Sequence, residues 1–171
     1  YRRMRRARIA AAEKGHSGAM FPWQSGSNGR EEAQRLHLNP KSGNWIPDNS
    51  QLQRHINIAV AYNVWQHYEV TGDIGFLSFY GGEMIIEIAR FWASIAHRSG
   101  KTGRYEIHGV MGPDEFHDAY PDADEPGLRN NAYTNVMVAW VMQRALDVLD
   151  ILPPDRKRSI WESLSLTARE V

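Results

Sequence analysis

A chain of 171 residues has room for one domain or part of a larger one, and its 20 Lys and Arg against 20 Asp and Glu leave no net field to select nucleic acid or an anionic membrane. An apolar fraction of 42% with 23% charged residues excludes a disordered chain, and the absence of cysteine excludes disulfide scaffolds, thiolate zinc sites and cysteine nucleophiles. No apolar run approaches the roughly 20 residues of a spanning helix, so a soluble and, with no Asn-x-Ser/Thr acceptor, cytoplasmic protein is expected. The start at Tyr1, with no apolar signal core behind it, reads as a chain cut from a longer one.

Residues 1 to 14 carry five Arg and Lys14 against Glu13, net +5, and run through Ile9-Ala-Ala-Ala12 to a stop at Gly15. This predicts a solvated helix with a glycine cap; a nucleic-acid arm would need an aromatic stacking platform, and none accompanies it. His16 to Ser50 is rich in Gly, Ser, Asn and Pro, contains Trp23 and Trp45, and has neither helical nor strand period. A long loop is expected there, and with it the binding surface. Residues 52 to 70 predict a helix apolar on two faces and hence buried, with Thr71-Gly72-Asp73 ending it. Met84, Ile85, Ile88, Phe91, Trp92 and Ile95 predict a second helix over 83 to 97.

Residues 104 to 110 alternate as Tyr105, Ile107 and Val110 and predict a short strand running into Gly112-Pro113, which delivers residues 114 to 118 on a turn. An acidic loop follows to Asn130, then a helix over 132 to 149 and a last helix opened by Pro153-Pro154-Asp155. Trp65, Trp92, Trp140 and Trp161 fall in helical stripes and are assigned to the core. The expected class is mainly α, with at most a short strand or hairpin.

Among the six carboxylates from Asp114 to Glu125, the later four lie between prolines and lack a calcium-loop rhythm. Asp114 and Glu115 follow a strand and a Gly-Pro turn and precede Phe116. A carboxyl held against an aromatic wall beside a second carboxylate keeps its proton toward neutrality and can donate it to a leaving oxygen. Glu115 is therefore the candidate acid, the alternative being that both residues cap a surface turn. Trp23 and Trp45 suit the C–H face of a sugar, with Gln24, Ser25 and Asn49 for its hydroxyls, or else they pin the loop. His55 either donates to a ligand or satisfies a neighbouring carbonyl. No metal site is expected, since the seven His show no His-Glu-x-x-His and no paired helical spacing; nucleotide and serine-hydrolase motifs are absent.

Gly18-Ala-Met-Phe-Pro-Trp-Gln-Ser-Gly26 with Gly29-Arg-Glu-Glu32, His55-Ile-Asn57, Thr71-Gly-Asp73, Glu87-Ile-Ala-Arg-Phe-Trp92, Gly109-Val-Met-Gly-Pro-Asp-Glu115 and Asn130-Asn-Ala-Tyr-Thr-Asn135, in this order, resemble the catalytic domain of glycoside hydrolase family 65. The resemblance implies that residues 1–171 are part of a single (α/α)6 barrel, truncated at both ends, in an enzyme acting on α-glucosides such as maltose, trehalose or kojibiose. It places the general acid on Glu115 and the leaving-sugar site around Trp23 and Gln24, with Asn49 and His55 carried over by proximity to that loop. Where relatives often have Glu after the Trp, this chain has Gln24, which leaves acceptor preference open. The family's Phe-Trp-Asp segment is expected before residue 1, and its Lys-Gln segment and phosphate loop after Val171.

The implied reaction is inverting phosphorolysis: Glu115 protonates the departing oxygen while inorganic phosphate, a co-substrate, attacks from the opposite face. No other cofactor is called for. Trehalase-like hydrolysis needs a second carboxylate as base, and Asp114, adjoining Glu115, would lie on the wrong side of the sugar. A sugar-binding or scaffold fragment without activity is the alternative from another class. The expected partners are the disaccharide, phosphate and, for the full-length enzyme, a second copy in a homodimer, with neither nucleic acid nor membrane.

Overall fold

The computed structural model describes residues 1–113 and 117–171 of the chain. Among the described residues six helices carry the fold: α1 (Met4–Ala12), α2 (Ile56–Thr71), the single turn α3 (Ile74–Phe76), α4 (Gly82–Ile95), α5 (Ala132–Ile151) and α6 (Pro154–Ser163). None is long and apolar enough to cross a membrane. A π-helical turn, Leu77–Gly81, links α3 to α4.

The centre is α4, whose Ile85, Ile88, Phe91 and Trp92 are fully buried. It packs most extensively on α5, and α2 rests on both. Gly72 ends α2 in a left-handed conformation (φ 65°), as the Thr-Gly-Asp signal predicts, and Asp73 accepts the Phe76 N–H to start the next turn. Pro154 occupies the first turn of α6, where its missing N–H costs nothing.

Helix α2 corrects one expectation. It buries Asn57, Ile58, Ala61, Val64 and Trp65, while Tyr62, Asn63 and His67 face outward. One face is in the core rather than two. Helix α1 corrects another: Met4, Ala7 and Ala11 pack inward, and Arg8, partly exposed, is paired rather than free in solvent. It donates to Glu83 and Glu87 of α4, at 2.6 Å each. Arg90 reaches Glu87 from the other side (2.8 Å) and Glu170 (2.8 Å), so the buried Glu87 carboxylate is satisfied by two guanidiniums.

Strand content exceeds the expected single strand or hairpin. Three antiparallel two-stranded ladders form: β1 (Leu36–Leu38) with β2 (Trp45–Pro47), β3 (His97–Arg98) with β4 (Tyr105–Glu106), and β5 (His108–Val110) with β6 (Leu128–Arg129). Each strand is two or three residues long, too short for an alternating pattern to register. The β5–β6 register slips at Gly109, whose backbone sits against Gly127; a Cβ on Gly127 would lie 2.6 Å from the Gly109 Cα. That close approach permits a bulge immediately before the Gly112-Pro113 turn.

Candidate functional site

The Pro22-Trp23-Gln24 stretch is held from two sides. Asn57, fully buried at the start of α2, accepts the Phe21 N–H (2.6 Å) and donates to the Arg54 carbonyl (2.9 Å). Glu31 accepts the N–H groups of Trp23 (2.7 Å), Gln24 (3.0 Å) and Ala33 (3.0 Å). A buried amide and a carboxylate thus fix three successive backbone N–H groups, and with them the backbone from which the Trp23 ring projects.

The Trp23 ring lies 5.3 Å from the His55 imidazole, which packs edge-on against Tyr133 at 6.3 Å. His55 precedes α2, and Tyr133 stands in the first turn of α5, where Asn131 accepts the Thr134 N–H. An aromatic wall is assembled from three separate elements. Burial pulls the His55 pKa below its usual value, so the ring is neutral near neutrality, and its Nδ1 is buried without a hydrogen-bond partner among the described residues. Trp23 alone of the three rings also lines a hollow of about 540 Å³, between the start of α1 and α2, with Phe21, Pro22, Ile56 and Met84.

The turn over Asn49 to Leu52 gathers the other half. Met111 donates its N–H to the Leu52 carbonyl (2.9 Å), and Asn49 Nδ2 donates to Asp118 (3.4 Å). Gly112 N–H donates to the His117 carbonyl (2.9 Å). Both flanks of residues 114–116 are therefore tied to each other and to the turn that leads into His55. The candidate acid Glu115, with Asp114 and Phe116, lies outside the described residues.

Of the expected site residues, Trp23 and His55 come together, and Asn49 joins the chain beside the Gly-Pro turn. Gln24 is exposed, and its backbone is what the structure engages, the carbonyl accepting from Glu32 N–H (2.9 Å). Trp45 is 66% exposed on the β1–β2 hairpin and does not join the wall.

The whole chain, residues 1–171, matches the glycosyl hydrolase family 65 central catalytic domain. It belongs to that family. Relatives within and around family 65 include an uncharacterized glycosyl hydrolase of Mycobacterium tuberculosis, 54% identical over 99% of this chain and 13% of its own length. A trehalose 6-phosphate phosphorylase of Lactococcus lactis is 48% identical over 78% of this chain and 18% of its own length. A kojibiose phosphorylase of Caldanaerobacter subterraneus is 38% identical over all of this chain and 22% of its own length. The fold resembles a solved structure of a kojibiose phosphorylase candidate from the human microbiome, with a TM-score of 0.74 at 24% identity over 98% of this chain and 22% of that one. The chain spans about a fifth or less of the length of the curated relatives it matches.

Three residues of this candidate site were not singled out in the sequence, although Asn57, Glu31 and Tyr133 each stand in a stretch quoted for the family resemblance. Asn57 is also polar on an otherwise apolar helical face, whereas Glu31 in Arg30-Glu31-Glu32 reads locally as a solvated charge run. That Tyr133 meets His55 is decided by the packing of α5 against the start of α2.

Proposed function

We propose that this chain is part of an (α/α)6 catalytic domain and supplies the proton donor and the leaving-sugar side of a pocket that cleaves an α-glucosidic disaccharide by inverting phosphorolysis. Glu115 gives its proton to the bridging oxygen as that oxygen leaves the anomeric carbon. A phosphate oxygen bonds to the same carbon from the opposite face, so the glucosyl group passes from sugar to phosphate as β-glucose 1-phosphate. Phosphate arrives as an anion and needs no base.

The observation that carries this reading is the pinned Trp23–His55–Tyr133 wall beside the Asn49–Leu52 turn, to which Met111 and Asp118, on either side of residues 114–116, are hydrogen-bonded. An aromatic ring such as Trp23 suits the C–H face of a sugar, and the two flanks of the segment that carries Glu115 are hydrogen-bonded to the turn leading into His55. Neutral His55 offers a nitrogen to a sugar hydroxyl rather than a charge. Phosphorolysis is favoured over hydrolysis by relatives named as phosphorylases of kojibiose and trehalose 6-phosphate.

The test uses the full-length protein with kojibiose, trehalose, trehalose 6-phosphate and maltose. Phosphate-dependent release of β-glucose 1-phosphate is expected from one of them, and Glu115→Gln is expected to lower turnover by about 10²–10⁴-fold. Substrates whose leaving group needs no proton should recover most of that loss. Glucose release independent of phosphate would assign the protein to hydrolysis. Cleavage unchanged in Glu115→Gln would take the acid role from Glu115.

A further inference from the structure

His97, Glu106 and His108 carry no metal-ligand spacing in the sequence but share one face of the β3–β4–β5 segment. In the ladder His97 stands opposite Glu106, and His108 follows Glu106 by two residues, which returns its side chain to the same side of the strand. Ile107, between them, points the other way and is buried in the core. One nitrogen from each imidazole and one carboxylate oxygen all fall within 4.8 Å of one another. His108 Nε2 is 3.2 Å and His97 Nε2 is 3.9 Å from Glu106 Oε2, and the two rings meet edge to face at 4.6 Å.

We propose that His97, Glu106 and His108 form a binding site for a divalent transition-metal ion of the zinc class, which clips the β3–β4 hairpin to β5. A tetrahedral ion with bonds of about 2.0–2.1 Å holds its donor atoms roughly 3.3–3.4 Å apart. The His–Glu separations of 3.2 and 3.9 Å bracket that spacing, and all three donors lie within 4.8 Å, so side-chain rotation alone draws them onto one ion. Two imidazoles and one carboxylate are a borderline nitrogen-and-oxygen set, suited to Zn²⁺, Co²⁺ or Ni²⁺; Ca²⁺ and Mg²⁺ require six or more oxygens. Arg98, the nearest cation on β3, turns its guanidinium to the Gly103 carbonyl and leaves the triad's face to the three ligands. The fourth position belongs to water, since the triad is partly exposed.

The site lies outside the aromatic wall and does not depend on the α-glucoside reading. Its reach into the fold is mechanical. β5 runs into Val110 and Met111, and Met111 N–H donates to Leu52, so an ion fixing His108 holds the strand that leads to the Gly112-Pro113 turn.

The experiment is calorimetric titration of Zn²⁺ into chelator-stripped protein carrying no affinity tag, with His97→Ala, His108→Ala, Glu106→Gln and the His97→Ala/His108→Ala pair beside it. Wild type is expected to show a saturable equivalent that each single variant weakens by at least about tenfold and the double variant loses. Co²⁺ should give visible d–d absorption of tetrahedral intensity in proteins that keep all three ligands and not in the double variant. His37→Ala, on the β1–β2 hairpin, should match wild type, and Zn²⁺ should raise the melting temperature of every protein except those lacking two ligands. No saturable binding to wild type, or an equivalent that survives in a folded double variant, would overturn the proposal.

Discussion

The segment from His16 to Ser50 contains two stretches of near-identical character in sequence and opposite character in space. The inner stretch, through Trp23, is tied to three other elements: Ala19 N–H to Glu87, Met20 N–H to Ala7 and Phe21 N–H to Asn57. The outer stretch, the β1–β2 hairpin with Trp45, is held mainly by its own ladder, by Asn39 accepting from Lys41 and Ser42, and by Asp48 at its foot. Leu36, Leu38 and Trp45 are exposed there. Glycine, proline and tryptophan in a polar loop therefore do not separate an anchored stretch from a free hairpin; hydrogen bonds from the loop to other elements do, because they fix the backbone that carries the aromatic ring.

The sharpest test of this contrast is a pair of glycines. Gly18 and Gly43 share a left-handed backbone (φ 70° and 69°), but a Cβ on Gly18 would collide with the Glu87 carbonyl and Phe91 nitrogen of α4, whereas one on Gly43 would meet open space. Gly18→Ala should cost about 3 kcal/mol or more, and Gly43→Ala about 1 kcal/mol, the intrinsic cost of that conformation. Equal losses in urea denaturation would erase the distinction between the stretches. Next in size, Asn57→Ala leaves the Phe21 N–H and Arg54 carbonyl without their partner and should cost about 2 kcal/mol. The same variant should weaken sugar binding more than its stability loss explains, since it releases Trp23.

Trp45→Ala should stay within about 0.5 kcal/mol of the parent and leave sugar affinity alone. Trp23→Ala should raise the KM for the disaccharide while the protein stays folded; unfolding instead would make Trp23 a structural residue. The smallest effect is on pH dependence. The folded pKa of His55 is lowered by burial, so below the unfolded value of about 6.5 the unfolded chain takes up a proton that the folded chain refuses. Stability should therefore fall as pH drops through about 6.5 and level off beneath the folded value. His55→Gln should flatten that slope, though not abolish it, because burial and the charges of Arg54 and Lys14 lower His16 in the same direction. An unchanged slope would mean that His55 titrates as freely in the fold as in the unfolded chain.

The long helices were legible because their evidence is local and repeated. Met84, Ile85, Ile88, Phe91 and Trp92 recur at spacings of three and four and are buried, and Pro154 opens α6 where a proline is tolerated. The ladders were not, since two or three residues carry no period. His97 is a case in point: it continues the pattern of α4, yet Ala96 turns extended (ψ 134°) and His97 pairs with Glu106. Arg8 was read as solvated because its acidic partners, Glu83 and Glu87, lie some 75 residues onward. The acid role of Glu115 came from the motif that ends in it and stands as a proposal.

Local sequence alone decided where α4, α5 and α6 lie and that Ile85, Ile88, Phe91 and Trp92 are buried, because such features depend on neighbours within a few positions; Trp140 and Trp161, assigned to the core, are only partly buried against it. Only the tertiary structure decided that Trp23 rather than Trp45 meets His55, that Tyr133 completes the wall, and that Asn57 and Glu31 hold it. Those contacts join chain segments up to about 80 residues apart, and a sequence pattern has no period at that range.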